Sequence, residues 1–192
     1  DHLDYHETFD NYITAKKMLF DMLPKSAFAL LNKDDLHWEV MGQNTKAQIH
    51  TYALKNIADY KVKIAENQFT GMQLQLGGQE VWTKLIGTFN ASNLLAVYAV
   101  ANELVGNSMD ILTAISTLDP VDGRFQYLRG PQGVVGIVDY AHTPDALEKI
   151  LSTINSIRTG NEQLITVVGC GGDRDKSKRP KMSAAASKAS DR

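Results

Sequence analysis

The sequence predicts an α/β protein, and three stretches carry that prediction. Residues 134–138 form an apolar run that stops at Asp139, Tyr140 and His142, and Thr143-Pro144 then opens an amphipathic segment. This pattern describes a buried strand that delivers polar side chains to a sheet edge, followed by a helix that starts at proline. Gly71-Met72-Gln73-Leu74-Gln75-Leu76 alternates into Gly77-Gly78 and out through Val81 and Trp82, which is a hairpin pattern. Residues 90–105 are rich in Leu and Ala at helical spacing. In open α/β sheets, ligands gather at the carboxyl ends of strands, so Asp139, Tyr140 and His142 stand where chemistry is expected. A lone Asp would read as a turn cap, but three polar groups within four residues favour a site.

The other elements follow in order. Phe9, Ile13, Leu19 and Met22 recur at helical spacing and stop before Pro24, predicting a helix over 9–23. Residues 26–31 are a short apolar run and read as a buried strand; residues 47–85 favour strands; residues 109–118 read as a second, shorter helix. Pro120-Val121-Asp122-Gly123 breaks the pattern, which sets the expected domains at 1–119 and 120–192. Beyond it the sequence predicts a strand over 124–128, a turn at 130–133 and the strand ending at Asp139. A helix over 144–157, a strand over 164–168 and a glycine-rich turn complete the pattern. Strand, helix, strand in that order predicts a parallel, doubly wound unit. Residues 183–190 read as the start of a helix.

The 192 residues are 43% hydrophobic and 22% charged, with a formal net charge of −2. That composition is globular and gives no basic face for nucleic acid. The longest apolar stretch, 94–101, is too short to span a membrane, and no secretory leader opens the sequence. Cys170 is the single cysteine and has no disulfide partner in the chain, which fits a reducing cytoplasm. The sequence opens without methionine and is expected to be a piece of a longer chain.

Three constellations could carry chemistry. Asp1-His2-Leu3-Asp4-Tyr5-His6 groups two histidines and two aspartates that could bind a divalent ion, although no zinc spacing is present. Phe89-Asn90-Ala91-Ser92-Asn93 opens the long helix; Asn90 suits an N-cap, and Asn93 follows on the same face. Gly169-Cys170-Gly171-Gly172-Asp173-Arg174-Asp175-Lys176-Ser177-Lys178-Arg179-Pro180 lets the backbone approach a ligand and adds a cationic run suited to carboxylate or phosphate. It is neither a dinucleotide fingerprint nor a Walker motif.

Together these pieces resemble the Mur ligases, ATP-dependent amide-forming enzymes of peptidoglycan synthesis. The resemblance rests on D-H-L-D-Y-H at 1–6, Y-x-x-A-K at 12–16 and G-x-F-N-x-x-N-L-L-A at 87–96. It continues through G-R-F at 123–125, V-D-Y-A-H-T-P-D-A-L at 138–147 and G-C-G-G-D-R-D-K-x-K-R-P-x-M at 169–182. The last two are closest to the branch that adds the third residue of the stem peptide. The resemblance implies the second half of a central ATPase domain joined to the start of a Rossmann-like carboxyl-terminal domain. A Gly-Lys-Thr phosphate loop would lie upstream, and a D-N-P-R-like motif that helps select the amino acid would lie downstream.

By that resemblance, His2 binds Mg²⁺, and Lys16 is a lysine that becomes carbamylated and helps hold the metal. Asn93 contacts the adenine end of ATP, Arg124 reaches the phosphates, Asp139 takes the ribose hydroxyls, and Tyr140 and His142 line the nucleotide pocket. Arg174 meets a carboxylate of the incoming amino acid. The implied substrates are a UDP-muramoyl dipeptide and free diaminopimelate or lysine. The implied enzyme is a cytoplasmic monomer when intact, with no nucleic acid or membrane as partner. The alternatives are the D-glutamate-adding ligase, a cyanophycin-synthetase-like ligase and a non-catalytic nucleotide-binding fragment. D-H-L-D-Y-H and G-G-D-R-D-K argue against folylpolyglutamate synthase.

Overall fold

The computed structural model describes residues 6–171 and 175–192, and the chain divides into two compact units, Asp1–Leu118 and Asp119–Arg192. The first unit is built on a mixed five-stranded sheet in the order β1 (Phe28–Asn32), β2 (Gln48–Ala53), β3 (Tyr60–Gln68), β4 (Gly71–Leu76), β5 (Gln79–Thr83). The β1–β2 and β2–β3 pairs are parallel, whereas β3–β4 and β4–β5 are antiparallel. The β4–β5 turn is the predicted Gly77-Gly78, with φ of 59° and 78°. Glycine is needed at 77 for a second reason, because a Cβ there would stand 2.2 Å from the Tyr98 hydroxyl.

Helix α1 (Phe9–Asp21) precedes the sheet, and the short helix α2 (Trp38–Gly42), which the sequence pattern does not reveal, connects β1 to β2. Helices α3 (Thr88–Val105) and α4 (Ser108–Thr117) cover one sheet face. Val62, Met72, Leu74, Leu76 and Val81 of the strands meet Ala91, Leu94, Leu95 and Tyr98 of α3 and Ile111, Leu112 and Ile115 of α4. Each fully buried large side chain of this kind stabilises the fold by roughly 1.5–3 kcal/mol. The last turn of α3 is tied to the sheet through Glu103, which accepts from the Tyr60 hydroxyl and lies 3.1 Å from His50 Nδ1. Helix α1 differs: none of its residues is buried, and its apolar residues Phe9, Met18 and Leu19 are about half exposed or more. It starts from the Thr8 cap, whose hydroxyl accepts from Asn11 N at 3.2 Å.

At the carboxyl ends of β1 and β2, Asp34 clamps the loop after β2. Its carboxylate accepts the backbone N–H groups of Leu54 at 2.6 Å and Asn56 at 3.0 Å, a weaker bond from Lys55 N, and the Asn56 side-chain amide at 3.0 Å. Burial alone would raise the Asp34 carboxyl above the usual 3.8, but these donors more than offset it and hold the group lower. A folded pKa below the unfolded one gives stability that is present above the unfolded value and lost as pH falls through the folded one. The melting temperature of Asp34→Asn should therefore lie below that of the wild type near neutral pH, with the gap closing as pH falls below 3.8. Thermal melts across that range check it, and a gap that does not change with pH would rule out an ionic clamp.

The second unit contains an antiparallel pair, β6 (Gln126–Arg129) with β7 (Val135–Val138), joined through a 3-10 turn at Pro131–Gly133. Helix α5 (Pro144–Ile157) begins as the sequence predicts, with Pro144 in its first turn and the Thr143 hydroxyl accepting from Ala146 N. It packs Leu147 and Leu151 against Met182, Ala185 and Ala186 of α6 (Lys178–Ala189), which starts five residues earlier than the composition suggests.

The expected parallel strand at 164–168 requires correction. No strand is formed there among the described residues, and Val167 is 96% exposed. A ladder needs a partner along its length, and among the described residues this segment bonds to the short run 190–192 at the end of the chain. Arg192 N donates to Leu164 O at 3.3 Å and Thr166 N to Arg192 O at 3.0 Å, the alternation of a single parallel bridge.

Candidate functional site

The β6–β7 register determines what meets at the end of β7. Gln126 pairs with Val138, so one step further along the two chains brings Phe125 opposite Asp139, and the next brings Arg124 opposite Tyr140. Both contacts are made. Phe125 N donates to Asp139 Oδ2 at 2.8 Å, and the Arg124 guanidinium lies 5.2 Å from the centroid of the Tyr140 ring. Phe125 adopts a left-handed backbone (φ 47°) while its ring is 2% exposed. The turn before it is held by Arg124 N to Val121 O at 2.9 Å, by Gly123 N to Gln126 Oε1 and by Gln126 Nε2 to Asp122 Oδ1.

From Tyr140 the cluster continues to His142, whose ring centroid is 5.1 Å from that of Tyr140 and whose Nδ1 lies 3.1 Å from Tyr140 O. Lys178, at the start of α6, donates from Nζ to His142 O at 2.9 Å. The glycine-rich turn is held to the same helix by Arg179, which donates to Gly171 O at 3.1 Å. The structure thus gathers Arg124, Asp139, Tyr140 and His142, and adds Phe125 and Lys178, to which the sequence alone assigns no role. Lys178 is visible there only as one cation in a run. Nothing in the sequence marks Phe125 as a residue with positive φ.

Chemically, this edge offers an acceptor, a planar cation and aromatic faces. One oxygen of Asp139 is engaged by Phe125, which leaves Oδ1 for a hydroxyl donor. The exposed Arg124 fork stacks on Tyr140 and keeps its donors for an anion.

In the first unit, Lys16 lies on α1, exposed, with Nζ 5.6 Å from the centroid of the Tyr12 ring, and Tyr12 in turn meets His6 edge-on at 5.5 Å. The N-terminus of α3 differs from expectation. Gly87, at φ 94°, is the N-cap and Asn90 is not; the Asn90 side chain donates instead to Ile86 O at 2.8 Å. Asn93 therefore falls in the second turn, exposed, at the head of a stripe with Val97, Val100 and Leu104. His2 and Arg174 lie outside the described residues. Among the described residues, no group of three or more His, Cys, Asp or Glu side chains could hold a metal ion, and no helix is long and apolar enough to cross a membrane.

Residues 1–101 match the Mur ligase middle domain and residues 123–192 the Mur ligase glutamate ligase domain. A UDP-N-acetylmuramoyl-L-alanyl-D-glutamate–2,6-diaminopimelate ligase from Phocaeicola vulgatus is 55% identical over all of this chain, and one of the same name from Bacillus velezensis is 40% identical. The chain spans about 40% of the length of the curated relatives it matches. A solved ligase of that same name superposes with a TM-score of 0.69 at 34% identity, over 99% of this chain and 40% of its own. A UDP-N-acetylmuramate-alanine ligase from Thermotoga maritima shares the fold, with a TM-score of 0.71 at 22% identity over 96% of this chain and 41% of its own. With both units matched in order along its length, the chain belongs to the Mur ligase family.

Proposed function

We propose that these residues form part of a cytoplasmic, monomeric ATP-dependent ligase that adds diaminopimelate to UDP-N-acetylmuramoyl-L-alanyl-D-glutamate in peptidoglycan synthesis. The choice of diaminopimelate over lysine is supported by the names of the relatives, which specify it. The observation that carries the reading is the cluster at the end of β7, where Asp139, Arg124 and Tyr140 meet.

ATP, when bound, supplies the phosphoryl group that converts the terminal carboxylate of the dipeptide into an acyl phosphate, leaving ADP; the amine of the third residue then displaces phosphate and forms the amide. Transfer of this kind needs little covalent help from a protein and much electrostatic positioning. The residues fit that task. Asp139 Oδ1 accepts a ribose hydroxyl, and Tyr140 and His142 offer ring faces beside it. The Arg124 guanidinium offers two parallel donors to phosphate oxygens. Asn93 offers an amide to the adenine edge, and Arg174 a fork to the amino-acid carboxylate. For Mg²⁺, the donor set would consist of His2 and a carbamate on Lys16, whose anionic oxygens suit a hard cation.

In a full-length ligase carrying these residues, Asp139→Ala and Asn93→Ala should each raise the KM for ATP about tenfold or more, the scale of one lost hydrogen bond to a charged or buried group. The KM for diaminopimelate should change little. Steady-state kinetics with each substrate varied in turn tests this, and a change confined to the amino acid would overturn the assignment.

A further inference from the structure

We infer that Phe125 is a positioning residue of the nucleotide site: its left-handed backbone, pinned by its buried ring, aims its N–H at Asp139 Oδ2 and fixes the carboxylate for the ribose. The inference rests on the proposed role of Asp139. Three observations carry it. The Phe125 N–H donates to Asp139 Oδ2 at 2.8 Å. The residue holds φ at 47°, a region that a bulky side chain with a Cβ rarely adopts, although it is not glycine. Its ring is 2% exposed and among the largest fully buried side chains in the protein.

The physical logic links the three. One step along from the Gln126–Val138 pair, an ordinary strand conformation would point the Phe125 amide in the plane of the sheet, across the ladder. Positive φ turns it toward the carboxylate instead. That conformation is sterically costly for an L-residue, because Cβ crowds the carbonyl oxygen that follows it. Burial of an aromatic ring outweighs the cost only while the ring stays in its socket, so the ring acts as the lock on the backbone. Held strain of this kind is characteristic of sites where geometry must be fixed before a ligand arrives. With Oδ2 engaged, the Asp139 side chain is held in one orientation and Oδ1 faces the ligand without a rotamer search. Glycine at 125 would reach the same φ but would be free to leave it. Phenylalanine holds it.

The test separates backbone from packing. Leucine and isoleucine have the same volume, but isoleucine is branched at Cβ and tolerates positive φ far less well. In a full-length ligase carrying these residues, Phe125→Leu and Phe125→Ile are compared with Asp139→Ala, using ATP against 2′-deoxy-ATP and 3′-deoxy-ATP. The wild type should prefer ATP over at least one deoxy analogue, and Asp139→Ala should abolish the preference. Phe125→Ile should reduce that preference about tenfold, the scale of one hydrogen bond to a charged group, while kcat/KM for the deoxy analogue changes little. Phe125→Leu should retain most of it.

Phe125→Gly provides a second arm that does not depend on the isoleucine protein folding. Gly reaches the conformation but is not held there, so its preference should fall at least threefold. If Asp139→Ala leaves the preference intact, the ribose reading of Asp139 fails. If Asp139→Ala abolishes the preference and Phe125→Ile and Phe125→Gly both keep it, the positioning role of Phe125 fails. Equal losses toward ATP and both analogues in the Phe125 variants would mark a merely structural residue and would also overturn the proposal.

Discussion

Replacing Lys16 with alanine in a full-length ligase carrying these residues should lower ligation by at least a hundred- to a thousandfold, the scale of losing one preorganised charge from a phosphoryl-transfer site. The fold gives little reason to attribute such a loss to misfolding. Helix α1 buries none of its residues, Lys16 is exposed, and alanine is the stronger helix former. The substitution removes the ammonium from the face of the Tyr12 ring, an attraction worth about 0.5–1 kcal/mol at an exposed position. The activity loss must therefore come from chemistry.

That chemistry is the proposed carbamate. Loss of a proton from the ammonium, and addition of CO₂ to the resulting amine with release of a second proton, replace a cation, which the face of Tyr12 attracts, with an anion, which it repels. The modified side chain is stable only with a cation close by, as the proposed Mg²⁺ would be. Acetate or formate added to the alanine variant can occupy the space left by the carbamate and should restore part of the rate. Wild-type turnover in Lys16→Ala would end this reading, and absence of rescue with full loss would reduce Lys16 to an ordinary cation.

Much of the fold is legible because the signals are local. The Gly77-Gly78 hairpin, the Thr143-Pro144 helix start and the periodicity of 90–105 each follow from residues a few positions apart. Expectation fails where partners are distant. Asn90 looks like a cap, yet Gly87 caps α3 because the β5–α3 connection enters at positive φ, which only the backbone path reveals. Residues 164–168 have the composition of a strand, but hydrogen-bond ladders require a neighbour, and hydrophobicity cannot supply one. At the candidate site, sequence order marks Asp139, Tyr140 and His142 as neighbours. That Arg124 stacks on Tyr140, and that the Phe125 amide meets Asp139, depends on cross-strand register, which is invisible to a linear pattern.

The 192 residues expressed by themselves should neither hydrolyse ATP nor form the tripeptide product. Their sequence contains no glycine-rich loop ending in Gly-Lys followed by Ser or Thr, the device whose amides and lysine cradle the β- and γ-phosphates. The cations gathered at the end of β7 do not replace it. Arg124 is one fork on an exposed edge, and the ammonium of Lys178 already donates to His142 O. A single guanidinium near the surface, screened by water and salt, contributes about 1 kcal/mol toward an anion. Asp139 and the aromatic faces could add contacts to ribose and base but none to the transferred phosphate. The apolar stripe of Val97, Val100 and Leu104 on α3 is exposed, as are Leu19 and Met22 at the end of α1, so the first unit presents apolar surface to solvent. Calorimetric titration with a non-hydrolysable ATP analogue and Mg²⁺, run beside a ligation assay, measures both outcomes. A dissociation constant below about 1 µM, equivalent to about 8 kcal/mol, would mean that these residues alone build a complete nucleotide site, and detectable tripeptide product would refute the prediction outright.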